Sequence, residues 1–170
     1  MILVGNTGLS YQQWQAQMAM WAMMAAPLFL SEDLRTVSPE ARALIQNPGV
    51  IAINQDPLGI MGKRIWQHGQ IEAWIRPVTP VGSYAAAVLN LNIGGAQTAL
   101  NLTLASLGVK GQDAYNVTEV FSGKPLGKVT ATQNLPISVD TNSVFLLKYT
   151  KLSVLKKYGK KPFFKVVKTN

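Results

Sequence analysis

The apolar and polar positions in the first part of the chain follow two different periods. Residues 2–4 form a short apolar run that ends at a Gly-Asn pair, which is typical of a buried strand and its turn. Trp14, Met18 and Trp21 then recur at helical spacing and predict a helix over residues 9–26. The pattern therefore predicts a strand followed by an amphipathic helix.

Polar residues and proline define the ends of this first helix. Ser10 and Gln13 have the spacing of a capping box, in which two side chains satisfy free amide groups at a helix start. Pro27 ends the helix because it has no amide hydrogen. Residues 28–30 follow as a second apolar run of strand type.

A second helix is predicted further along. Ser38 before Pro39 is a typical N-cap followed by proline at the first helical position, and the helix is expected to end near residues 47–49. The run VIAINQ, residues 50–55, is rich in β-branched residues and predicts a strand. A turn is expected at residues 56–59, Asp-Pro-Leu-Gly.

From about residue 60 the pattern changes to short alternating runs. These are IEAWIRPV, SYAAAVLNLN, QTALNLTLASLG, YNVTEVFSG, KVTATQNLPISV and SVFLLKY, separated by Gly, Pro, Asn or Asp. Several short strands at such close spacing predict an antiparallel sheet or sandwich. The expected fold class is therefore α+β, with a strand-helix-strand-helix segment followed by an all-β segment.

Composition restricts the chemistry. The chain has 170 residues and no cysteine, which excludes disulfides and thiolate metal sites. His68 is the only histidine, so a zinc site or a Ser-His-Asp triad has little to build on. We expect no metal and no cofactor.

The net charge of +8 is concentrated at one end. Residues 1–150 contain nine basic and eight acidic residues, whereas residues 151–170 contain seven lysines and no acid. A basic tail can bind phosphates or anionic lipid. A solvated tail peculiar to this sequence is the alternative that we prefer, and we expect no nucleic-acid partner.

The amino-terminal segment does not have the pattern of a targeting or membrane element. A signal peptide has a positive region before its apolar stretch, and the first cation here is Arg35. The apolar run over residues 18–30 is shorter than the roughly 20 residues that span a bilayer. We therefore expect neither a signal peptide nor a membrane span.

Three motifs follow one another within the first 65 residues: G-N-x-G-L-S, A-P-L-x-x-S-x-D-L-R and I-N-Q-D-P-L-G. In this order they closely resemble the α-galactosidase and α-N-acetylgalactosaminidase family of retaining glycoside hydrolases. The segment DPLGIMGKRI is similar to the animal lysosomal members, in particular to the N-acetylgalactosaminidase branch. Residues 66–150 match the family's C-terminal β-sandwich loosely, and the lysine-rich tail departs from the family pattern.

The resemblance implies a fold and a domain organisation. Residues 1–59 would be the last two β/α units of a (β/α)₈ barrel, with residues 2–4 and 28–30 as its final strands. Residues 60–150 would be an antiparallel β-sandwich, and residues 151–170 a basic tail. Family members are often homodimers, and they cleave terminal α-linked galactose or N-acetylgalactosamine from glycolipids and glycoproteins without a metal.

The resemblance also implies that the catalytic machinery lies outside this chain. A retaining glycosidase needs two carboxylates about 5–5.5 Å apart, and the family motifs that supply them, Y-x-K-x-D and R-x-x-x-D, do not occur here. We therefore assign no catalytic residue. A compensating pair among Glu72, Asp113, Glu119 and Asp140 is a remote alternative. Met1 takes the place of the family methionine that follows Asp-Pro-Asp at the sugar-binding end of a strand, which implies a position in the substrate pocket.

Two glycosylation sequons begin at Asn101 and Asn116 and are consistent with a secretory route to the lysosome. Two functions of other classes stay open at this stage. The chain would be a non-catalytic β-sandwich that binds a sugar or another subunit, or a protein that binds RNA or anionic membranes through its basic tail.

Overall fold

The computed structural model describes residues 1–152, which contain three α-helices, one short 3-10 helix and eight β-strands. The basic tail beyond Leu152 lies outside the described residues. The elements are α1 (Tyr11–Met23), α2 (Pro39–Ile45), α3 (Pro48–Asn54), β1 (Lys63–His68), β2 (Ile71–Val78), β3 (Ser83–Asn90), β4 (Thr98–Leu102), the 3-10 helix (Ala105–Leu107), β5 (Ala114–Glu119), β6 (Pro125–Thr130), β7 (Leu135–Val139) and β8 (Ser143–Lys151).

The first helix begins with the predicted capping box. The Ser10 hydroxyl accepts the amide of Gln13, and the Gln13 side chain accepts the amide of Ser10. The helix ends earlier than predicted, because Ala25 adopts a left-handed conformation and the amide of Ala26 turns back to the carbonyl of Trp21. This pairing closes the last turn in the manner of a Schellman motif.

The third helix corrects a sequence prediction, because residues 50–55 were expected to form a strand. The Asn47 side chain accepts the amides of Gly49 and Val50, and Pro48 occupies the first helical position. This cap and the pre-set proline dihedral outweigh the β-preference of Val50 and its neighbours. The run VIAI then buries Val50 and Ile53 at helical spacing against the core.

The two predicted amino-terminal strands are reduced to one parallel bridge, between Ile2 and Leu30. The Ile2 amide donates to the carbonyl of Phe29 at 2.7 Å, and the amide of Ser31 donates to the carbonyl of Ile2 at 3.1 Å. Parallel strands are most stable in sheets that are covered on both faces. Here Ile2 is fully buried on one side, whereas Phe29 is exposed on the other.

Residues 63–151 form the predicted antiparallel sandwich. A six-stranded sheet has the order β1-β2-β3-β8-β5-β6, and a two-stranded sheet pairs β4 with β7. All the strand pairings are antiparallel. β1 was not predicted, because its sequence KRIWQH is largely polar and exposed.

The six-stranded sheet is the middle of three layers. Its inner face, with Ala86, Val88 and Leu147, packs against β4, β7 and the 3-10 helix. Its other face packs against the helices, with Ala85 and Ala87 of β3 in the same buried cluster as Met18 and Ala22 of α1. Because these strand residues are small, α1 lies close to the backbone of the sheet.

Candidate functional site

Met1 is the one residue that the family resemblance assigns to a substrate pocket. The residue is 69% exposed, and its carbonyl accepts a hydrogen bond from Nε2 of Gln17 in α1 at 3.3 Å. The next outward residue, Leu3, donates its amide to Oε1 of the same Gln17 at 2.7 Å. The pocket role of Met1 stays a prediction.

The loop after Leu30 lies against the turn that follows residues 2–4. Gly5 has φ +104°, and a Cβ atom there would lie 3.3 Å from Cγ of Glu32. The Ser31 hydroxyl donates to the carbonyl of Ile2 at 2.8 Å. Glu32 therefore lies in the loop that follows the Ile2–Leu30 bridge, with its side chain packed over the Gly5 backbone.

Asp33 in the same loop is bound to Arg35. Both carboxylate oxygens accept from the guanidinium, the closest contact being 2.6 Å, and Oδ1 also accepts the Arg35 amide. These hydrogen bonds hold the pKa of Asp33 below its usual value. Both side chains are exposed, so the pair shapes the loop and leaves Asp33 ionised.

Asp56 has the structural role expected of a turn residue. Its Oδ1 accepts the amide of Leu58 at 3.1 Å, and its Oδ2 accepts the amide and the hydroxyl of Thr79, both at 2.7 Å. Burial raises the pKa of this carboxyl, but the hydrogen bonds from Thr79 and Leu58 outweigh it and keep the pKa below its usual value. Asp56 thus joins the end of α3 to the turn after β2.

Two of the four acids considered as a compensating pair are bound to cations. Glu72 accepts from Arg64 at 2.7 Å and from the indole of Trp74 at 3.0 Å. Asp113 accepts from Lys151 at 2.6 Å. Each of these carboxylates is held by a positive partner on the sandwich, which gives it a structural explanation.

The other two, Glu119 and Asp140, line one cleft of about 360 Å³ together with Tyr11. Glu119 accepts the amides of Phe121 and Ser122 and the Ser122 hydroxyl, so both of its oxygens are used in the turn after β5. A catalytic carboxylate has to be available to the substrate. The hydrogen bonding of Glu119 therefore favours a turn-forming role.

The two sequons lie in different surroundings. Asn101 is exposed on β4, whereas Asn116 is half-buried in the middle of β5. In the sheet, Asn116 lies opposite Lys128 of β6 on one side and Thr150 of β8 on the other. Their glycosylation stays a prediction.

Arg76 is a buried residue whose role no local sequence pattern predicts. The side chain is fully buried and donates to the carbonyl of Ala22, near the end of α1, and to that of Asn54, which ends α3. Burial lowers its pKa, and the nearby charge of Asp56 acts in the opposite direction. A cation inside the apolar run IEAWIRPV was the available sequence signal.

Within residues 1–152, no three His, Cys, Asp or Glu side chains are grouped so that they could hold a metal ion. The helices of this described part are too short or too polar to cross a membrane.

Two family models match consecutive parts of the chain. Residues 1–56 match the model described as alpha galactosidase A, and residues 68–149 match the alpha galactosidase C-terminal beta sandwich domain. The chain belongs to the alpha-galactosidase family of glycoside hydrolases. This confirms the resemblance and the fold class, the end of a barrel followed by an antiparallel β-sandwich.

Curated relatives carry two enzyme names. The chain is 41% identical to alpha-N-acetylgalactosaminidase of Gallus gallus over 147 residues, which are 86% of this chain and 36% of that protein. It is also 41% identical to alpha-galactosidase A of Homo sapiens over 150 residues, 86% of this chain and 35% of the relative. The chain therefore spans little more than a third of the length of these relatives.

A solved structure supports the fold of the described residues. The alpha-galactosidase I of Mortierella vinacea superposes with a TM-score of 0.78 at 23% identity, covering 87% of this chain and 38% of the other. At this identity the likeness concerns the fold alone.

Proposed function

We propose that this chain is the C-terminal part of a retaining exo-glycosidase that removes terminal α-linked galactose or N-acetylgalactosamine from glycolipids and glycoproteins. The consecutive matches to the two family models support the proposal, because one covers residues 1–56 and the other, a C-terminal beta sandwich domain, covers residues 68–149. The alignments cover only 36% and 35% of the relatives that bear these enzyme names.

We further propose that the chain by itself is inactive. Neither family motif that supplies a catalytic aspartate occurs in it. Asp56, Glu72, Asp113 and Glu119 are each engaged in hydrogen bonds that shape turns or strands. The two carboxylates of the retaining mechanism would come from earlier barrel strands.

The parent enzyme would act as a lysosomal homodimer, and Met1 would lie in its sugar pocket. The animal names among the relatives and the two sequons support the secretory assignment. The exposed position of Met1 at the start of its strand is compatible with a ligand-facing role.

Two experiments test this proposal. The purified chain should not turn over 4-nitrophenyl α-galactoside or 4-nitrophenyl α-N-acetylgalactosaminide above the rate without enzyme, and clear turnover would contradict it. The genomic sequence upstream of the Met1 codon should continue in frame and encode Asp-Pro-Asp, with both aspartate motifs further upstream. A stop codon at that place would contradict the assignment to a longer enzyme.

A further inference from the structure

The peptide bond between Asp56 and Pro57 belongs to a chemically reactive type. It is the single Asp-Pro bond in the sequence, and it lies in the turn that joins α3 to the strands of the sandwich. Asp-Pro bonds are the most acid-labile peptide bonds, because the aspartate carboxylate can attack its own main-chain carbonyl carbon. The proline nitrogen belongs to a tertiary amide and leaves readily once it is protonated. Cleavage here would divide the chain into residues 1–56 and 57–170.

This cleavage needs only acid and water as reactants. A side-chain oxygen of Asp56 forms a bond to the carbonyl carbon of the same residue. The bond from that carbon to the Pro57 nitrogen breaks, its electron pair stays on the nitrogen, and the nitrogen takes a proton from the solvent. The resulting cyclic anhydride is opened by one water molecule. Asp56 then carries a new terminal carboxyl group beside its original side chain, and Pro57 becomes a new amino terminus.

Two features of the turn favour this reaction. Pro57 is exposed, which leaves its side of the bond open to acidic solvent. The Asp56 carbonyl accepts the amide of Gly59 at 3.0 Å. Negative charge develops on this oxygen when its carbon is attacked, and a donor that is already in place stabilises such charge. The reactivity of the bond therefore depends on whether the side-chain carboxylate is free to attack.

Both oxygens of that carboxylate are engaged in hydrogen bonds. Oδ2 accepts the amide and the hydroxyl of Thr79, both at 2.7 Å, and Oδ1 accepts the amide of Leu58 at 3.1 Å. Asp56 is only 6% exposed, and within residues 1–152 Arg76 of β2 is the charged side chain that acts on it. An oxygen can reach the attacking geometry only after it has left its donors. These hydrogen bonds therefore restrain the nucleophile.

We propose that the Asp56–Pro57 bond is a self-cleavage site, and that Thr79 keeps it intact by binding the Asp56 carboxylate. The cut would separate the helical segment from the sandwich in the covalent chain. The two fragments would stay associated, because Arg76 and Asn47 make hydrogen bonds between them. The bond chemistry is independent of the proposed glycosidase activity.

Intact-mass measurement of the full chain tests the site. The protein is kept at about pH 4, and the appearance of residues 1–56 and 57–170 is followed under denaturing conditions. Thr79→Val removes the hydroxyl donor and should cleave at least about fivefold faster than the unaltered chain. Thr79→Ser keeps both donors and should retain the original rate. Asp56→Asn has no carboxylate and should form these fragments at least about fivefold more slowly than Thr79→Val.

A second variant separates the restraint from general stability. Asn47→Ala weakens the fold at a side chain that bonds neither Asp56 nor Thr79. Its cleavage rate should stay within about twofold of that of the unaltered chain. If Asn47→Ala cleaves as fast as Thr79→Val, unfolding governs the cleavage and the proposal is wrong. An unchanged rate in Thr79→Val, or an equal acceleration in Thr79→Ser, would also contradict it.

The unfolded chain provides a measurement that does not depend on how the variants fold. If circular dichroism shows that Thr79→Val is unfolded, the unaltered chain is compared with and without concentrated urea at the same pH. Unfolding frees the carboxylate and should raise the cleavage rate at least about tenfold. Equal rates in the two conditions would overturn the restraint. Absence of a cut between Asp56 and Pro57 in urea would overturn the cleavage site itself.

Discussion

The Arg76 guanidinium of β2 donates to the carbonyl of Asn54, the last residue of α3, at 3.4 and 3.5 Å. The same group also donates to the carbonyl of Ala22 near the end of α1. The last carbonyls of a helix have no partner within the helix, and they carry partial negative charge. One buried cation in the sheet thus completes the hydrogen bonding of two helix ends.

Replacing Arg76 should destabilise the protein strongly. Arg76→Met keeps the volume but leaves the Asn54 carbonyl without its donor and removes the guanidinium from the Ala22 carbonyl, which keeps the Ala25 amide. This change should lower the free energy of unfolding by about 2 kcal/mol. Chemical denaturation measures this change. Arg35→Met is the matched control, because Arg35 is exposed and its loss should leave the melting temperature nearly unchanged. If Arg76→Met were as stable as the parent, the free-energy cost of desolvating the cation would equal the free energy gained from its hydrogen bonds.

Asp56 should make stability depend on acid pH. Its pKa is lower in the folded than in the unfolded chain, where an aspartate has a pKa of about 3.9. The stability it contributes is therefore present above that value and lost as the pH falls through the lower folded pKa. Denaturation between pH 6 and about pH 2 should show a smaller loss for Asp56→Asn than for the parent.

Thr79→Val is a graded control for this prediction. It removes the hydroxyl donor to Asp56 but keeps the amide donor of the same residue. Its pH dependence should lie between those of the parent and Asp56→Asn. Identical curves for all three proteins would contradict the assignment of the acid sensitivity to this carboxylate.

Asn47 should contribute separately to the helix and to the contact with the sandwich. Its side-chain oxygen caps α3, and its nitrogen donates to the carbonyl of Phe121 at 2.9 Å. Asn47→Ala loses both functions and should cost about 2 kcal/mol. Asn47→Asp keeps the cap and loses only the donor, so its melting temperature should lie between those of Asn47→Ala and the parent. Equal effects of the two variants would argue against a separate capping contribution.

Asn101 should be the more fully glycosylated sequon when the chain is secreted from animal cells behind an added leader. It is exposed on β4, whereas Asn116 lies half-buried between two neighbouring strands. Asn101→Gln should therefore remove most of the mass shift that glycosidase treatment reveals, and Asn116→Gln a smaller part. If Asn116→Gln removed the larger part of the mass shift, exposure of the asparagine in the folded chain would not determine how fully each sequon is glycosylated.

Short runs separated by turn residues predicted the strands of the sandwich well. β7 buries one side chain in two, whereas β2 and β3 of the middle sheet are buried on both faces. The bounds of β2, Ile71–Val78, coincide with the run IEAWIRPV. The helix α3 was missed because the apolar run VIAI carries no distinct period at that length. Its Asn47-Pro48 cap was the signal that would have corrected the prediction.

The candidate site could be predicted only in part. The turn-forming role of Asp56 follows from the sequence Asp-Pro-Leu-Gly and agrees with its hydrogen bonds to Leu58 and Thr79. The role of Arg76 depends on two carbonyls that are distant from it in sequence, which no local pattern encodes. The hydrogen bonds of Gln17 to the backbone of Met1 and Leu3 likewise depend on how α1 packs over residues 1–4.

The shared middle sheet has a consequence for how such chains recombine. One face of β3 belongs to the cluster of the helices and the other to the cluster of the sandwich. Recombination between two genes in the linker between Asn54 and Lys63 would combine the helices of one parent with the strands of another. The contacts of Arg76, Asp56 and Asn47 would then be made between residues from different parents. Viable chimaeras of this family should therefore inherit the helical segment and the sandwich together, as one module.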